Sequence, residues 1–354
     1  MVKVKLTNEI LNDIITIEKR KTNLSSIVIP LSLSNTLRKN SQKHSSYASN
    51  KIEGNPLTYS QAEKAIEAKN RHLLKPEQEI VNYFNAIEYL SHKLKNNVPI
   101  SLKLILDVQK IIVKGESKDK IGIRNKMPPG VLFAVYDTKT HQPEYIPPEY
   151  KDIIPLLTEL IDYINTADDH PIIKSAVLHY QLVTIHPFED GNGRTARIIA
   201  NYLLGLYGYN FRNIGSIEEY FNYNLDEYYS SLQMNLPINY YDGRNNPPHF
   251  EIWINYYLKV MKLYSARVLE IATNSVKTLD RQRQSHLSKK ALFFLKYLKT
   301  KRYSTFSPID VSKELHTTNR TIINWCIELV NNGYLKPHLV NKRIRKYSLI
   351  EKDR

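Results

Sequence analysis

The sequence predicts a mainly α-helical chain with one short β-hairpin and a small C-terminal module of different organisation. Three observations lead there. Apolar residues recur at three- and four-residue spacing over most of the first 280 positions. One aromatic and β-branched run, residues 131–136, breaks that rhythm. Basic charge gathers in the last fifth of the chain.

The elements follow in order. Helical spacing marks residues 60–75, 76–95, 101–114, 148–166, 172–185 and 195–208. Ser101 is a suitable cap for the run that follows it, and Pro171 suits a first helical turn. Residues 131–136, a polar turn at 137–140 and an extended arm at 141–146 predict a hairpin, which Pro147 and Pro148 end. Asn245-Asn-Pro-Pro248 marks a boundary, and a long helical run covers residues 250–279. Beyond it come helices at 288–299, 307–315 and 318–331, then Gly333 and alternating residues at 336–349. This is the order of a winged helix-turn-helix, with 318–330 as the recognition helix.

Length and composition bound the possibilities. A chain of 354 residues suits two or three domains, and 42% hydrophobic with 24% charged residues is ordinary for a globular protein. No apolar run approaches the roughly 18 residues that span a bilayer, and the N-terminal stretch lacks the apolar core of a secretory signal. The single Cys326 excludes an internal disulfide framework and a cysteine metal cluster. A reducing, cytoplasmic location is expected, with Cys326 a buried structural thiol.

The segment His186-Pro-Phe-Glu-Asp-Gly-Asn-Gly-Arg-Thr-Ala-Arg197 concentrates chemistry between two helices. Gly191, Asn192 and Gly193 allow turns closed to bulky residues and bring N–H groups to a helix N-terminus, where phosphate binds. Arg194 and Arg197, three apart, add two guanidinium forks to one face. Asp190 offers a hard oxygen for Mg2+, which normally keeps water and phosphate oxygens as its other ligands. His186 accepts a proton near neutral pH, and Phe188 anchors the loop in the core. Base, metal ligand, anion nest and paired arginines together describe phosphoryl-group chemistry on a nucleotide. No G-x-x-x-x-G-K-[ST], G-x-G-x-x-G or H-E-x-x-H pattern competes.

The segment resembles, in full, the H-P-F-x-[D/E]-G-N-G-R-x-x-R motif of Fic-domain proteins. That resemblance implies a helical Fic fold that transfers AMP from ATP to a Ser, Thr or Tyr hydroxyl of a protein, which could be the chain itself. It implies His186 as general base, Asp190 as Mg2+ ligand, and a nucleotide site formed from Phe188, Glu189, Asp190, Gly191, Asn192, Gly193, Arg194 and Arg197, with Arg197 at the γ-phosphate. In the family a hairpin flap aligns the target segment, a role that would fall to Val131, Leu132 and Phe133. Upstream, Ser49-Asn-Lys-Ile-Glu53-Gly54 is similar to the inhibitory motif [S/T]-x-x-x-E-[G/N]. By that resemblance Ser49, Glu53 and Gly54 form a self-inhibitor in which Glu53 takes Arg197 away from the γ-phosphate. Asn224-Leu-Asp-Glu-Tyr-Tyr229 is similar to a segment that lines the family's nucleotide pocket, although core packing explains these tyrosines as well. Two alternatives stay open: the reverse reaction, removal of AMP from a modified protein, and a DNA-binding regulator whose Fic module senses nucleotide.

The expected domains are an N-terminal helical region at 1–100 with the inhibitory motif, a catalytic domain at 101–250, a helical connection at 251–284 and a winged helix-turn-helix at 285–354. Residues 277–354 hold 18 Lys/Arg against 6 Asp/Glu, or +12 of the total +15. Arg320 on the recognition helix and Lys342, Arg343, Arg345 and Lys346 on the wing would give salt-dependent DNA contact. Dimerisation or substrate docking fits the same basic face. The family's frequent self-association implies a homodimer as a further partner, and no membrane partner is expected.

Overall fold

Helix α1 (Asn8–Ser25), which buries Ile10, Ile14, Ile17 and Leu24, and the long α2 (Leu31–Ile52), whose buried face lacks that apolar rhythm, begin the chain. The computed structural model describes residues 4–68, 72–128, 130–131, 133–136, 142–234, 236, 247, 249–340 and 343–350. Packing divides the chain into two units, Met1–Leu24 with Leu31–Leu269, and Ser25–Pro30 with Glu270–Arg354. The expected N-terminal region and catalytic domain thus pack as one unit. The long helix α11 (Phe250–Ser285) starts inside it, so its first half is no separate connection.

In α2 the buried face is polar: Ser34, Ser41, Ser45, Ser46, Ser49 and Asn50 all lie inside. Hydrogen bonds replace apolar packing there. Ser41 Oγ donates to the Gly215 carbonyl at 2.8 Å, and Ser45 Oγ to Glu218 Oε2 at 2.9 Å. Ser216 Oγ and Tyr83 OH also donate to the fully buried Glu218, at 2.9 and 3.1 Å. One carboxylate therefore ties α2 to two other parts of the unit, and burying it is tolerable because three hydroxyls satisfy it.

Helix α3 (Tyr59–Glu67) is shorter than the spacing predicts. Thr58 and Gln61 form its capping box, and the backbone turns extended at Ala68. A new start, with the Glu77 carboxylate accepting from the Leu74 N–H and Pro76 in the first turn, opens α4 (Lys75–Lys95). Ser101 caps α5 (Leu102–Ile112), accepting from the Leu104 N–H at 3.2 Å. The predicted hairpin is present but shorter: β1 (Val135–Tyr136) pairs antiparallel with β2 (Pro143–Tyr145). Leu132 and residues 137–141 lie outside the described residues, as do 245, 246 and 248 of the expected boundary. Helix α6 (Tyr150–Thr166) starts two residues late, after Pro147 and Pro148.

At the centre stands α7 (Pro171–Ile185), buried on every side, with Pro171 in its first turn. It packs along α8 (Asn192–Leu206), which starts three residues before the predicted 195 because Gly191 caps it in the left-handed region, φ 83°. Tyr83, Ile105, Val108, Leu157, Leu178 and Ile199 are among the buried side chains around this pair. Helices α9 (Glu218–Tyr223) and α10 (Leu225–Gln233) follow, and the first part of α11 closes the unit.

The second unit continues with α12 (Lys289–Lys301), α13 (Pro308–Glu314) and α14 (Asn319–Asn331), then β3 (Leu335–Val340) and β4 (Arg343–Leu349) paired antiparallel. Phe306 bridges to Tyr347 beside this wing. Phe294, Leu298, Phe306, Ile322 and Leu329 form its core together with Cys326, whose thiol burial pushes up to about 12. Three helices thus precede a two-stranded hairpin in this unit. Among the described residues no helix is long and apolar enough to cross a membrane.

Candidate active site

The turn between α7 and α8 has its shape set by its own side chains. Phe188 is buried in the core, and its N–H donates to Asn192 Oδ1 at 2.9 Å. Asn192 Nδ2 returns a bond to the Phe188 carbonyl at 2.8 Å. Both ends of the Asn192 amide are thus engaged in holding the nest, and the backbone N–H groups at the start of α8 are what it presents to a ligand. At Gly191 a Cβ would meet Val113 and Ile112 side chains at 3.1 and 3.3 Å, and its φ is positive besides.

His186 ends α7 in the left-handed region, φ 47°. Its Nδ1 lies 3.3 Å from the Val183 carbonyl. A proton on Nδ1 would be donated there, leaving Nε2 as the basic nitrogen. Removal from water lowers the imidazole to about 4, with help from Arg124 and against the Val183 carbonyl and Glu53, which favour the charged form. A neutral ring near neutral pH is the form a general base requires.

Asp190 and the two arginines converge with the end of α2. Arg194 Nη2 donates to Asp190 Oδ1 at 2.8 Å and Nη1 reaches Asn50 Oδ1 at 3.5 Å. The Arg194 Nε is buried without a hydrogen-bond partner among the described residues. Arg197, 2% exposed, donates from Nε to Ser49 Oγ and from Nη2 to the Ser49 carbonyl, each at 2.9 Å, and from Nη2 to Glu53 Oε1 at 2.6 Å. Desolvation alone would raise the Glu53 carboxyl; Arg197 and Arg194 outweigh it and hold the group below its ordinary value. Burial would lower the Arg197 guanidinium, and Glu53 reverses that and raises it.

Gly193 explains how a carboxylate comes so near. A Cβ built there would lie 2.3 Å from Glu53 Oε1 and 3.0 Å from Arg197 Nη1. Glu53 therefore sits against the first turn of α8, where helix N–H groups attract an anion. Gly54, φ 83°, turns the chain just after it.

A metal finds a restricted donor set. Among the described residues no three His, Cys, Asp or Glu side chains gather around one point. Asp190 is a partly exposed hard-oxygen donor beside the nest, a set suited to Mg2+ that takes its remaining ligands from phosphates and water. Lys120 Nζ stands 3.7 Å from Asp190 Oδ2, a cation that the sequence reading does not single out.

Other expected residues are placed less directly. The Glu189 side chain is exposed. Asn224 is exposed and caps α10, its Oδ1 accepting from the Glu227 N–H at 3.1 Å and its Nδ2 near Glu227 Oε2 at 3.3 Å. Tyr228 is buried and bonds His179 Nε2 at 2.9 Å; Tyr229 OH donates to the Ile52 carbonyl at 3.3 Å, at the end of α2. Val131 is exposed, while the Phe133 ring lies 6.0 Å from that of His186. A cleft of about 310 Å3 opens here, lined by Arg124, Met127, Val131, Phe133, Ile146 and Pro148 among others. Arg124 is absent from the sequence reading: one arginine between Gly122 and Pro128 carries no spacing signal.

Residues 99–204 match the Fic/DOC family. The chain is 29% identical over 169 residues to a protein adenylyltransferase Fic of Drosophila grimshawi, covering 46% of this chain and 33% of that one. It is 29% identical over 171 residues to the protein of the same name from Nematostella vectensis, covering 46% and 37%. The chain thus spans about a third of the length of these curated relatives. In fold it is similar to a Fic family protein from Desulfovibrio desulfuricans G20 (TM-score 0.60, 17% identity, 100% of this chain and 99% of that one). A Fic domain containing signaling protein from Bacteroides thetaiotaomicron also matches (TM-score 0.60, 21% identity, 74% and 98%).

Proposed function

We propose, from the Fic match of residues 99–204, that this chain is a protein adenylyltransferase held in check by its own Glu53. One observation carries the reading. A carboxylate of the chain already occupies the anion position at the start of α8, bound to Arg197 at 2.6 Å and against Gly193. A site that holds a carboxylate on Arg197, against Gly193 and within the field of Arg194, suits anions, and a triphosphate is the anion that would fit the start of α8.

In the transfer, ATP lies along the nest with its terminal phosphate at Arg197, once Glu53 has left. Arg194 reaches the phosphates from the same face. Mg2+, held by Asp190, would supply neutralisation of phosphate charge. The target hydroxyl oxygen attacks the α-phosphorus and gives its proton to His186 Nε2. The bond from the α-phosphorus to the bridging oxygen breaks, and pyrophosphate leaves with that electron pair. Glu53 and the γ-phosphate compete for one guanidinium, so the chain is silent while Arg197 is taken.

The test is transfer from α-labelled ATP. Glu53→Gly is expected to raise labelling of the chain or of an added protein at least tenfold, the size of one lost charge-assisted contact of about 1.4 kcal/mol or more. His186→Ala in that background abolishes label while ATP still binds. Equal silence of wild type and Glu53→Gly, with ATP bound by both, would remove the reading.

A second role belongs to the other unit. Arg320, Arg345 and Lys346 are exposed there, in a segment of net charge +12, and that charge suits a polyanion such as DNA.

A further inference from the structure

We infer that Arg124 is the positioning residue of His186, fixing the backbone that aims the base and tying it to the wall against which a target hydroxyl would lie. The inference rests on the transferase reading for what His186 does, and on geometry alone for what Arg124 does.

Arg124 is 3% exposed, and its bonds run both to the turn that carries His186 and to the hairpin side. Its N–H donates to the Pro187 carbonyl at 2.8 Å, and its Nε donates to the His186 carbonyl at 3.0 Å. Its Nη2 donates to the Pro148 carbonyl, at the exit of the hairpin. The guanidinium carbon lies 4.7 Å from the centre of the Phe133 ring, and that ring in turn faces His186. The preceding residue, Ile123, bridges to Phe188. One side chain and its backbone therefore touch both residues at the start of the turn, the hairpin's end and the aromatic wall.

His186 needs such a clamp. It takes a left-handed conformation without being glycine, a state that persists only where the surroundings impose it. Rotation of its carbonyl would turn the whole residue, and the ring with it. Arg124 fixes that carbonyl from one side while the Val183 carbonyl meets the ring's Nδ1 from the other. A single ammonium cannot reproduce a planar fork that serves two carbonyls and stacks on a ring, so lysine is an incomplete substitute. The nucleotide contacts proposed above lie on α8, whereas the bonds of Arg124 named here run to the His186, Pro187 and Pro148 carbonyls.

The experiment compares Arg124→Met and Arg124→Lys, each in the Glu53→Gly protein with ATP and Mg2+. Three things are read: ATP affinity, label transfer, and the His186 ring resonances by nitrogen-15 NMR. ATP affinity is expected to stay within about twofold while transfer falls about 100-fold in Arg124→Met, the loss typical of a displaced catalytic group, and less in Arg124→Lys. The His186 resonances shift in both. Transfer within twofold of the parent, or ATP affinity falling in step with transfer, would overturn the assignment. Where Arg124→Met does not fold, Arg124→Lys decides by the same criteria. A parent that binds ATP but transfers nothing counts against the transferase reading only. Arg124 then stands or falls by NMR, with unchanged His186 resonances in Arg124→Lys rejecting it.

Discussion

At the residue scale, the chemistry turns on two protonation states that the surroundings choose. His186 is pushed down to about 4 by burial and Arg124, and Glu53 partly resists. Since a negative neighbour favours the imidazolium, losing Glu53 lowers the midpoint further. The expected result in a histidine NMR titration is proton uptake by His186 near pH 4 in wild type, and lower still in Glu53→Gly. The base is then neutral through the whole physiological range. A midpoint at 6 or above in wild type, or an upward shift in Glu53→Gly, would contradict the described surroundings. Arg197 is the complementary case, a guanidinium whose charge burial opposes and Glu53 sustains, so some anion must accompany it. On the proposed reading, that requirement would make Glu53 and a triphosphate exclude each other.

At the element scale, α2 is what delivers Glu53, and its hold is polar. Ser45, Ser216 and Tyr83 all donate to Glu218, and replacing that carboxylate by alanine strands three hydroxyls. Glu218→Ala is expected to destabilise the unit by about 3 kcal/mol in urea unfolding, and to raise label transfer as α2 loosens its grip on Arg197. A loss below about 0.5 kcal/mol would show that the hub holds nothing. The same helix shows where sequence reading fails. Its buried face reads as a solvent-facing one, because serines and Asn50 carry no apolar period, whereas α8 is plain from its period and α7 from its apolar content all round. The turn from His186 to Arg197 stands out in the sequence because its polar and glycine residues lie within twelve positions and meet at one helix start. Glu53 became legible only by resemblance, since 144 positions separate it from Arg197. Arg124 was not legible at all: its role consists of bonds to carbonyls, and carbonyls leave no mark on a sequence.

At the scale of the whole molecule, basic charge is concentrated in the last part of the chain. The first 276 residues are nearly balanced, at 32 Lys/Arg against 29 Asp/Glu, while 277–354 carry +12. Within that segment Arg320 on α14 and Arg345 and Lys346 on β4 are exposed, as is Lys336 on β3; Lys342 and the Arg343 side chain lie outside the described residues. The exposed face of α14 offers Asn319, Arg320 and Asn324 to base edges, and Ile327 beside them, which is a poor reading set. Affinity without sequence preference is therefore the expectation. Four phosphate contacts would give a slope near −3.6 in log K against log salt, about a 100-fold weakening between 50 and 200 mM. An electrophoretic mobility series on two unrelated duplexes checks this. Equal shifts at 50 mM that fade together with salt, and that weaken in Arg320→Ala/Arg345→Ala/Lys346→Ala, are the predicted pattern. No shift at 50 mM would mean that the basic face serves protein contact, and the charge asymmetry would then point to an acidic partner surface.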